Sequence, residues 1–198
     1  MTDRPGAVPR DIMRPDDTTV PITFPPLKMR PGEVWRAVRD RAVHEARILI
    51  GTREQGGNNR GALVEAMLRD EGGQPGMPWC LAFVQHCYGR AFSRFNARCN
   101  LPNGLHVGRF ARSCMLHLPG AITHAPVIGA IALHYPTGHD GPGHCGIVTA
   151  FSTTDCVTIE GNTNDAGDRE SSKGDGVHEK TRALNYWAIF VDIGALDP

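Results

Sequence analysis

The pattern of apolar residues changes character part-way along the chain. From Glu33 to about Ile50, apolar side chains recur every three or four residues, which places them on one face of an α-helix. The same spacing predicts a second helix through Leu63–Leu68, a third from Pro78 to Ala91 and a short fourth around His106–Leu116. The first part of the chain is therefore predicted to be helical.

Beyond about Val127 the apolar residues form short β-rich runs separated by turn-rich segments. The predicted strands are Val127–Tyr135, His144–Phe151, Cys156–Glu160, Gly176–Leu184 and Tyr186–Ile193. Helices followed by strands predict an α+β domain, in which N-terminal helices pack on a mostly antiparallel β-sheet.

The first thirty residues differ in composition from the rest. Residues 1–30 contain several prolines and few apolar side chains to bury, so we expect an extended or disordered arm. Residues 31–198 show no internal repeat and are predicted to form a single domain. The arm has no continuous apolar core, which argues against a signal peptide and against membrane insertion. We expect a monomer that is synthesised in the cytoplasm.

The charge balance indicates no particular class of partner, and the cysteine content indicates no disulfide framework. Lys plus Arg and Asp plus Glu number 21 each, so no excess charge indicates nucleic acid as a partner. The six cysteines are too sparse for a disulfide framework and form no CxxC pair, so we expect them to be mostly reduced.

One cysteine is placed for chemistry. Cys80 follows Pro78 and Trp79 and lies in the first turn of the third predicted helix. The unsatisfied amides and positive dipole end of that turn favour a thiolate over a thiol. Cys87, seven residues later on the same face, is interpreted as a small buried hydrophobe.

A base and an orienting group follow downstream. His144 begins the second predicted strand, and Gly146 leaves room for close approach of a helix. An antiparallel hairpin would return Glu160, and Asn162 two residues beyond it, towards His144. Either side chain can hold an imidazole, and we favour Glu160 with Asn162 in support.

These residues supply the parts of a cysteine hydrolase. His144 would take the proton of Cys80, the thiolate would attack a carbonyl, and the imidazolium would protonate the leaving amine. The Cys80 amide is a natural oxyanion donor, and Gln74 is a candidate for a second one.

Four motifs in this order resemble the CHAP family, the cysteine, histidine-dependent amidohydrolase/peptidase domains of the papain-like and NlpC/P60-like group. They are Asn58-Asn59-Arg60-Gly61, the stretch from Pro78 to Val84, Gly-His-Cys-Gly-Ile-Val at His144, and Ile-Glu-Gly-Asn-Thr-Asn at Glu160. The resemblance covers roughly residues 45 to 190. Cys145 departs from it, because members often carry a plain apolar residue after the histidine.

The resemblance implies cleavage of peptidoglycan, with Cys80, His144, Glu160 and Asn162 as the catalytic set. The bond cut would be that of an N-acetylmuramoyl-L-alanine amidase or of an endopeptidase of the stem or cross-bridge. Many members are phage lysins, so action at the bacterial cell wall after release or delivery, as an endolysin or an injected effector, is implied. A peptidase, deamidase or acyltransferase acting on another amide, and a catalytically inactive wall-binding module, remain alternatives.

Other polar residues have two interpretations each. Trp79 either lines a substrate cleft or packs on the domain, and Glu54 and Asn59 either line the groove or belong to a loop that caps the next helix. His139, in a glycine-rich loop, is interpreted as an exposed residue rather than the base.

Cofactors are not expected. His134, His139, His144, Cys145 and Cys156 cluster in sequence, but their spacing fits no standard zinc pattern. Calcium is the remaining alternative, on an oxygen-rich run that lacks EF-hand spacing and is better interpreted as a solvated turn. That run comprises Asn162, Asn164, Asp165, Asp168 and Glu170.

Overall fold

A computed structural model describes residues 30–98, 101–135, 143–164 and 174–196. Within these residues the α-helices are Pro31–Leu49 (α1), Ala62–Asp70 (α2), Cys80–Arg94 (α3) and Val107–His117 (α4). The strands are Ile122–Thr123 (β1), Ile131–His134 (β2), His144–Phe151 (β3), Asp155–Thr163 (β4), Gly176–Ala183 (β5) and Ile189–Val191 (β6). The predicted N-terminal arm, apart from Arg30, lies outside the described residues.

The described strands form one antiparallel sheet in the order β1-β6-β2-β3-β4-β5. The four described α-helices precede all the described strands, so the α+β class expected from the apolar pattern is confirmed. β2, β3, β4 and β5 are neighbours in sequence order, as hairpin connections favour. β6 instead pairs with β2, along the edge of β2 that faces away from β3.

Alternation along the strands divides the core between the two faces of the sheet. On β2, Ile131 and Leu133 join the main cluster with α3, whereas Ala132 joins a smaller cluster with Val148 and Phe190. α3 lies between α1 and the strands β3 and β4. Ten of its residues are buried, which explains why its apolar positions extend nearly all round the helix.

Strand ends were the least accurate part of the sequence prediction. The run from Val127 to Tyr135 is a strand only over Ile131–His134, because Gly129 turns the chain with a φ of 84°. The last predicted strand is reduced to Ile189–Val191, because short 3-10 turns over Leu184–Tyr186 and Ile193–Ala195 flank it. β4, by contrast, continues past Glu160 to Thr163.

In the part of the chain that the structure describes, no helix combines the length and the apolar character that a membrane span requires.

Candidate active site

Cys80 is the first residue of α3 and is almost fully buried, with 3% of its surface exposed. The helix reaches the sheet because Gly161 of β4 has no side chain. A Cβ at Gly161 would lie 2.5 Å from the Cβ of Phe83 and 2.9 Å from Cζ3 of Trp79. This close crossing brings the start of α3, and with it the thiol, to the first residues of β3.

His144 is the first residue of β3 and lies opposite His134 of β2. Its Nε2 lies 2.8 Å from Oε2 of Glu160. Its Nδ1 is buried and has no hydrogen-bond partner among the described residues. The thiol of Cys80 lies near enough to raise the pKa of the ring, and Nδ1 is the ring nitrogen that Glu160 leaves available to the sulfur.

Glu160 of β4 is fully buried and is surrounded by hydrogen-bond donors. Its Oε1 accepts from Oγ1 of Thr158 and from Nε of Arg182, each at 2.7 Å. Its Oε2 accepts from Nη2 of Arg182 at 2.5 Å and faces His144. Burial alone would raise the pKa of Glu160, but the bonds from Arg182 and the proximity of His144 lower this pKa to about 2.

Glu160 in turn controls the ionisation of His144. Burial would lower the pKa of the imidazole, but the charge of Glu160 and the bonds with Cys80 and Glu160 raise this pKa to about 9. The ring is therefore charged at neutral pH and can serve as a proton donor.

The pKa of the Cys80 thiol is shifted in the opposite direction, to well below its ordinary value. The largest cause is a hydrogen bond with Cys145, which lowers this pKa, whereas burial raises it. The bond with His144, the charge of His144 and the Leu81 amide lower it further. The two shifts together favour a Cys80 thiolate beside a His144 imidazolium.

Sequence reasoning missed Arg182. It lies on β5, is 8% exposed, and stacks its guanidinium over Tyr186, 4.8 Å from the ring centroid. Tyr186 is stacked in turn on His134 at 4.3 Å. A signal was available, because a carboxylate predicted to be buried requires a cationic or hydrogen-bonding partner. The identity of that partner depends on strand register, which the apolar pattern does not provide.

Asn162 lies within β4 rather than beyond its end. It is fully buried, its φ is 54°, and the pairing with β5 shifts register between Glu160 and Thr163. The Nε2 atom of His144 is bonded to Glu160. Of Glu160 and Asn162, the two residues expected to compete for orienting the ring, Glu160 is therefore the one that contacts this nitrogen.

Three of the residues considered as substrate contacts, Trp79, Glu54 and Asn59, form an internal network. Trp79 is fully buried, and its Nε1 donates to Oε1 of Glu54 at 2.8 Å. Oε2 of Glu54 accepts from the backbone amide of Asn59 at 2.7 Å, and Nδ2 of Asn59 donates to the Gly76 carbonyl at 3.1 Å. Of the two interpretations given for each residue, the burial of both side chains favours packing for Trp79 and a structural loop for Asn59, which connect the loop to the start of α3.

Gln74 is exposed in the turn before α3, and its side chain makes no hydrogen bond within the described residues. Its role as a second oxyanion donor stays a prediction, with no side-chain hydrogen bond among the described residues to support it.

No site for zinc or calcium is seen among the described residues. Residues 30–98, 101–135, 143–164 and 174–196 contain no group of three or more His, Cys, Asp or Glu side chains arranged to hold a metal ion. His134 is bonded through Nδ1 to the Tyr186 carbonyl at 2.7 Å, and Cys156 lies in the smaller apolar cluster. His139, Asp165, Asp168 and Glu170 lie outside the described residues.

A cleft of about 680 Å³ lies on the outer face of α3, away from Cys80. Part of its charged lining is paired internally, since Glu45 binds Arg41 and also Arg90, the latter at 2.8 Å. No cysteine lines it, and its serine hydroxyl, of Ser93, donates to the Gly89 carbonyl at 2.9 Å. The candidate reactive groups are therefore those at the start of α3.

Comparison of the chain with protein-family models, with curated proteins and with solved structures finds no match. The chemistry of the site is therefore inferred from the geometry of the Cys80, His144 and Glu160 side chains.

Proposed function

We propose that this protein is a cysteine-dependent hydrolase of amide bonds in peptidoglycan. The observation that supports the chemistry is the buried arrangement of Cys80 at a helix start, His144 beside it and Glu160 bonded to the imidazole. The peptidoglycan substrate, the action at the bacterial cell wall and the papain-like fold group rest on the resemblance of four ordered motifs to CHAP domains.

The reaction begins with the ion pair already formed. The Cys80 thiolate attacks the carbonyl carbon of the scissile amide, and the electron pair of the carbonyl moves to its oxygen. The Cys80 backbone amide belongs to the first turn of α3, where amides have no carbonyl partner within the helix, so it is placed to bind that oxygen.

Collapse of this intermediate breaks the bond from carbon to nitrogen. His144 gives its proton to the departing amine, which leaves a thioester on Cys80 and a neutral imidazole. Water then attacks the thioester with His144 as base, the acid product departs, and the thiolate and imidazolium are restored. Glu160 stabilises the imidazolium at both ends of the cycle.

Digestion of purified peptidoglycan followed by mass spectrometry tests this proposal. We expect the wild-type protein to release fragments with new amino termini, and a Cys80→Ala variant to release none. Cys87→Ala is the matched control, because Cys87 is a buried cysteine on the same helix, two turns further along. No soluble fragment from walls of several chemotypes would remove peptidoglycan as the substrate.

The same groups would serve a peptidase, a deamidase or an acyltransferase acting on another amide. Product analysis distinguishes these, because hydrolysis of the wall leaves a free carboxylate, whereas acyl transfer joins it to an added amine. A catalytically inactive wall-binding module would behave differently again, since its binding to the wall would survive Cys80→Ala.

A further inference from the structure

The cleft on the outer face of α3 is bounded by residues of α1, of α3 and of the C-terminal end of α2. Its lining from α3 includes Gln85, Gly89 and Ser93, which are spaced four residues apart and form one row along the helix. A Cβ at Gly89 would meet nothing within 4 Å, so the middle of the row is open. The rise of an α-helix separates Gln85 from Ser93 by about 12 Å.

The end of the cleft at Gln85 favours a cation. Gln85 is 6% exposed, and its Nε2 donates to Oε2 of Glu71 at 2.7 Å and to the Pro102 carbonyl at 3.1 Å. Its Oε1 is a buried acceptor without a donor among the described residues. Burial, and then the charge of the neighbouring Asp70, raise the pKa of Glu71. A ligand with N–H donors and a positive charge supplies what this end lacks.

The end of the cleft at Ser93 favours an anion. Arg90 and Arg94 lie one turn apart on α3 and both line this end. Nε of Arg90 donates to Oε2 of the buried Glu45 at 2.8 Å. Arg94 is exposed and makes no hydrogen bond or ion pair among the described residues. Its guanidinium is therefore available to a carboxylate, whose two oxygens match its planar set of donors.

We propose that this cleft binds a short peptide with both termini free, its ammonium group beside Asp70 and Glu71 and its carboxylate on Arg94. An extended chain spans 3.3–3.6 Å per residue, so about three or four residues match the length of the row. The site lies away from Cys80 and breaks no bond. Peptides of this class are also what an amide hydrolase releases, and that connection alone rests on the proposed function.

Isothermal titration calorimetry of the full chain with trialanine tests the site. We expect saturable binding to the wild-type protein, and weaker binding of N-acetyltrialanine and of trialanine amide, each of which lacks one terminal charge. Asp70→Asn should weaken the binding of trialanine by about two- to fivefold, the worth of an exposed ion pair, and leave that of N-acetyltrialanine unchanged. Arg94→Met should weaken trialanine by a similar factor and leave trialanine amide unchanged.

Gly89→Leu tests the space of the cleft without altering its charges. Leucine favours a helix, and its side chain would occupy the open middle of the row, so we expect a folded variant without saturable binding of trialanine. Arg112→Met is the matched control for Arg94→Met, since Arg112 is exposed on α4 and does not line the cleft. The control should bind trialanine as the wild-type protein does.

Three results would overturn the proposal. They are the absence of saturable trialanine binding by the wild-type protein, equal losses for free and blocked peptides in Asp70→Asn and Arg94→Met, and unchanged binding by a folded Gly89→Leu variant. Wall digestion is measured separately. A protein that binds trialanine in the expected pattern but digests no peptidoglycan would retain this site and lose only the proposed function, and digestion without trialanine binding would do the reverse.

Discussion

The guanidinium of Arg182 binds both carboxylate oxygens of Glu160 across the neighbouring strands β4 and β5. Both side chains are buried, and the carboxylate also accepts from Thr158 and faces His144. Arg182 therefore keeps Glu160 ionised at a place where burial alone would favour its protonated form. In the proposed reaction it would act through Glu160 and His144, as a positioning residue.

Replacing Arg182 with Met should destabilise the protein by about 3–5 kcal/mol, because the buried carboxylate of Glu160 loses its cationic partner. Urea unfolding measures this change. Arg60→Met is the matched control, since Arg60 pairs with Glu65 at the surface and is itself about half exposed. Little change is expected in the control, and equal losses in the two variants would contradict a special role for the buried pair.

Activity should decline as the pH rises through about 9, because the pKa of His144 is raised to about 9. Below that pH the imidazolium is present and can protonate the leaving amine; above it the ring is neutral. The alkaline limb of the kcat/KM profile measures this transition. Stability from the contact with Glu160 has the same sign, since it is present below the ordinary pKa of His and is lost as the pH rises through about 9.

Glu160→Gln should move that alkaline limb to lower pH, because the charge that raises the pKa of His144 is removed. Asp175→Asn is the control, since Asp175 faces a different imidazole, His178, and is half exposed. An alkaline limb that stays in place in a folded Glu160→Gln variant would show that Glu160 does not control the ring.

Gly161→Ala should reduce activity and cost about 1–3 kcal/mol of stability, because its new Cβ would overlap Phe83 and Trp79. The start of α3 would have to move off β4, and Cys80 would move with it. Gly89→Ala is the control: Gly89 lies in α3 with nothing within 4 Å of its Cβ position. Helix propensity predicts that this variant gains about 0.5–1 kcal/mol. Unfolding and activity assays on both variants measure the difference, and full activity in Gly161→Ala would contradict the close crossing.

Trp79→Phe should lower stability by about 1 kcal/mol and leave KM unchanged, because it removes the indole N–H that binds Glu54 inside the protein. Unfolding and steady-state kinetics together measure these two effects. A raised KM with unchanged stability would instead restore the interpretation in which Trp79 lines a substrate cleft.

The sequence alone determined features that depend on local spacing. Periods of three and four residues located the helices, and proline followed by cysteine indicated the start of α3 to within two residues. The order of His144 and Glu160 on two successive strands was sufficient to bring them together, because a hairpin returns the chain upon itself.

Only the tertiary structure decided which side chains complete the site. The partner of Glu160 depends on the register between β4 and β5, the approach of Cys80 to His144 depends on where α3 crosses the sheet, and the burial of Trp79 depends on the loop that covers it. Register and crossing are set by packing between segments far apart in the chain, through side-chain shape and shared hydrogen bonds. A period along one segment carries no information about either.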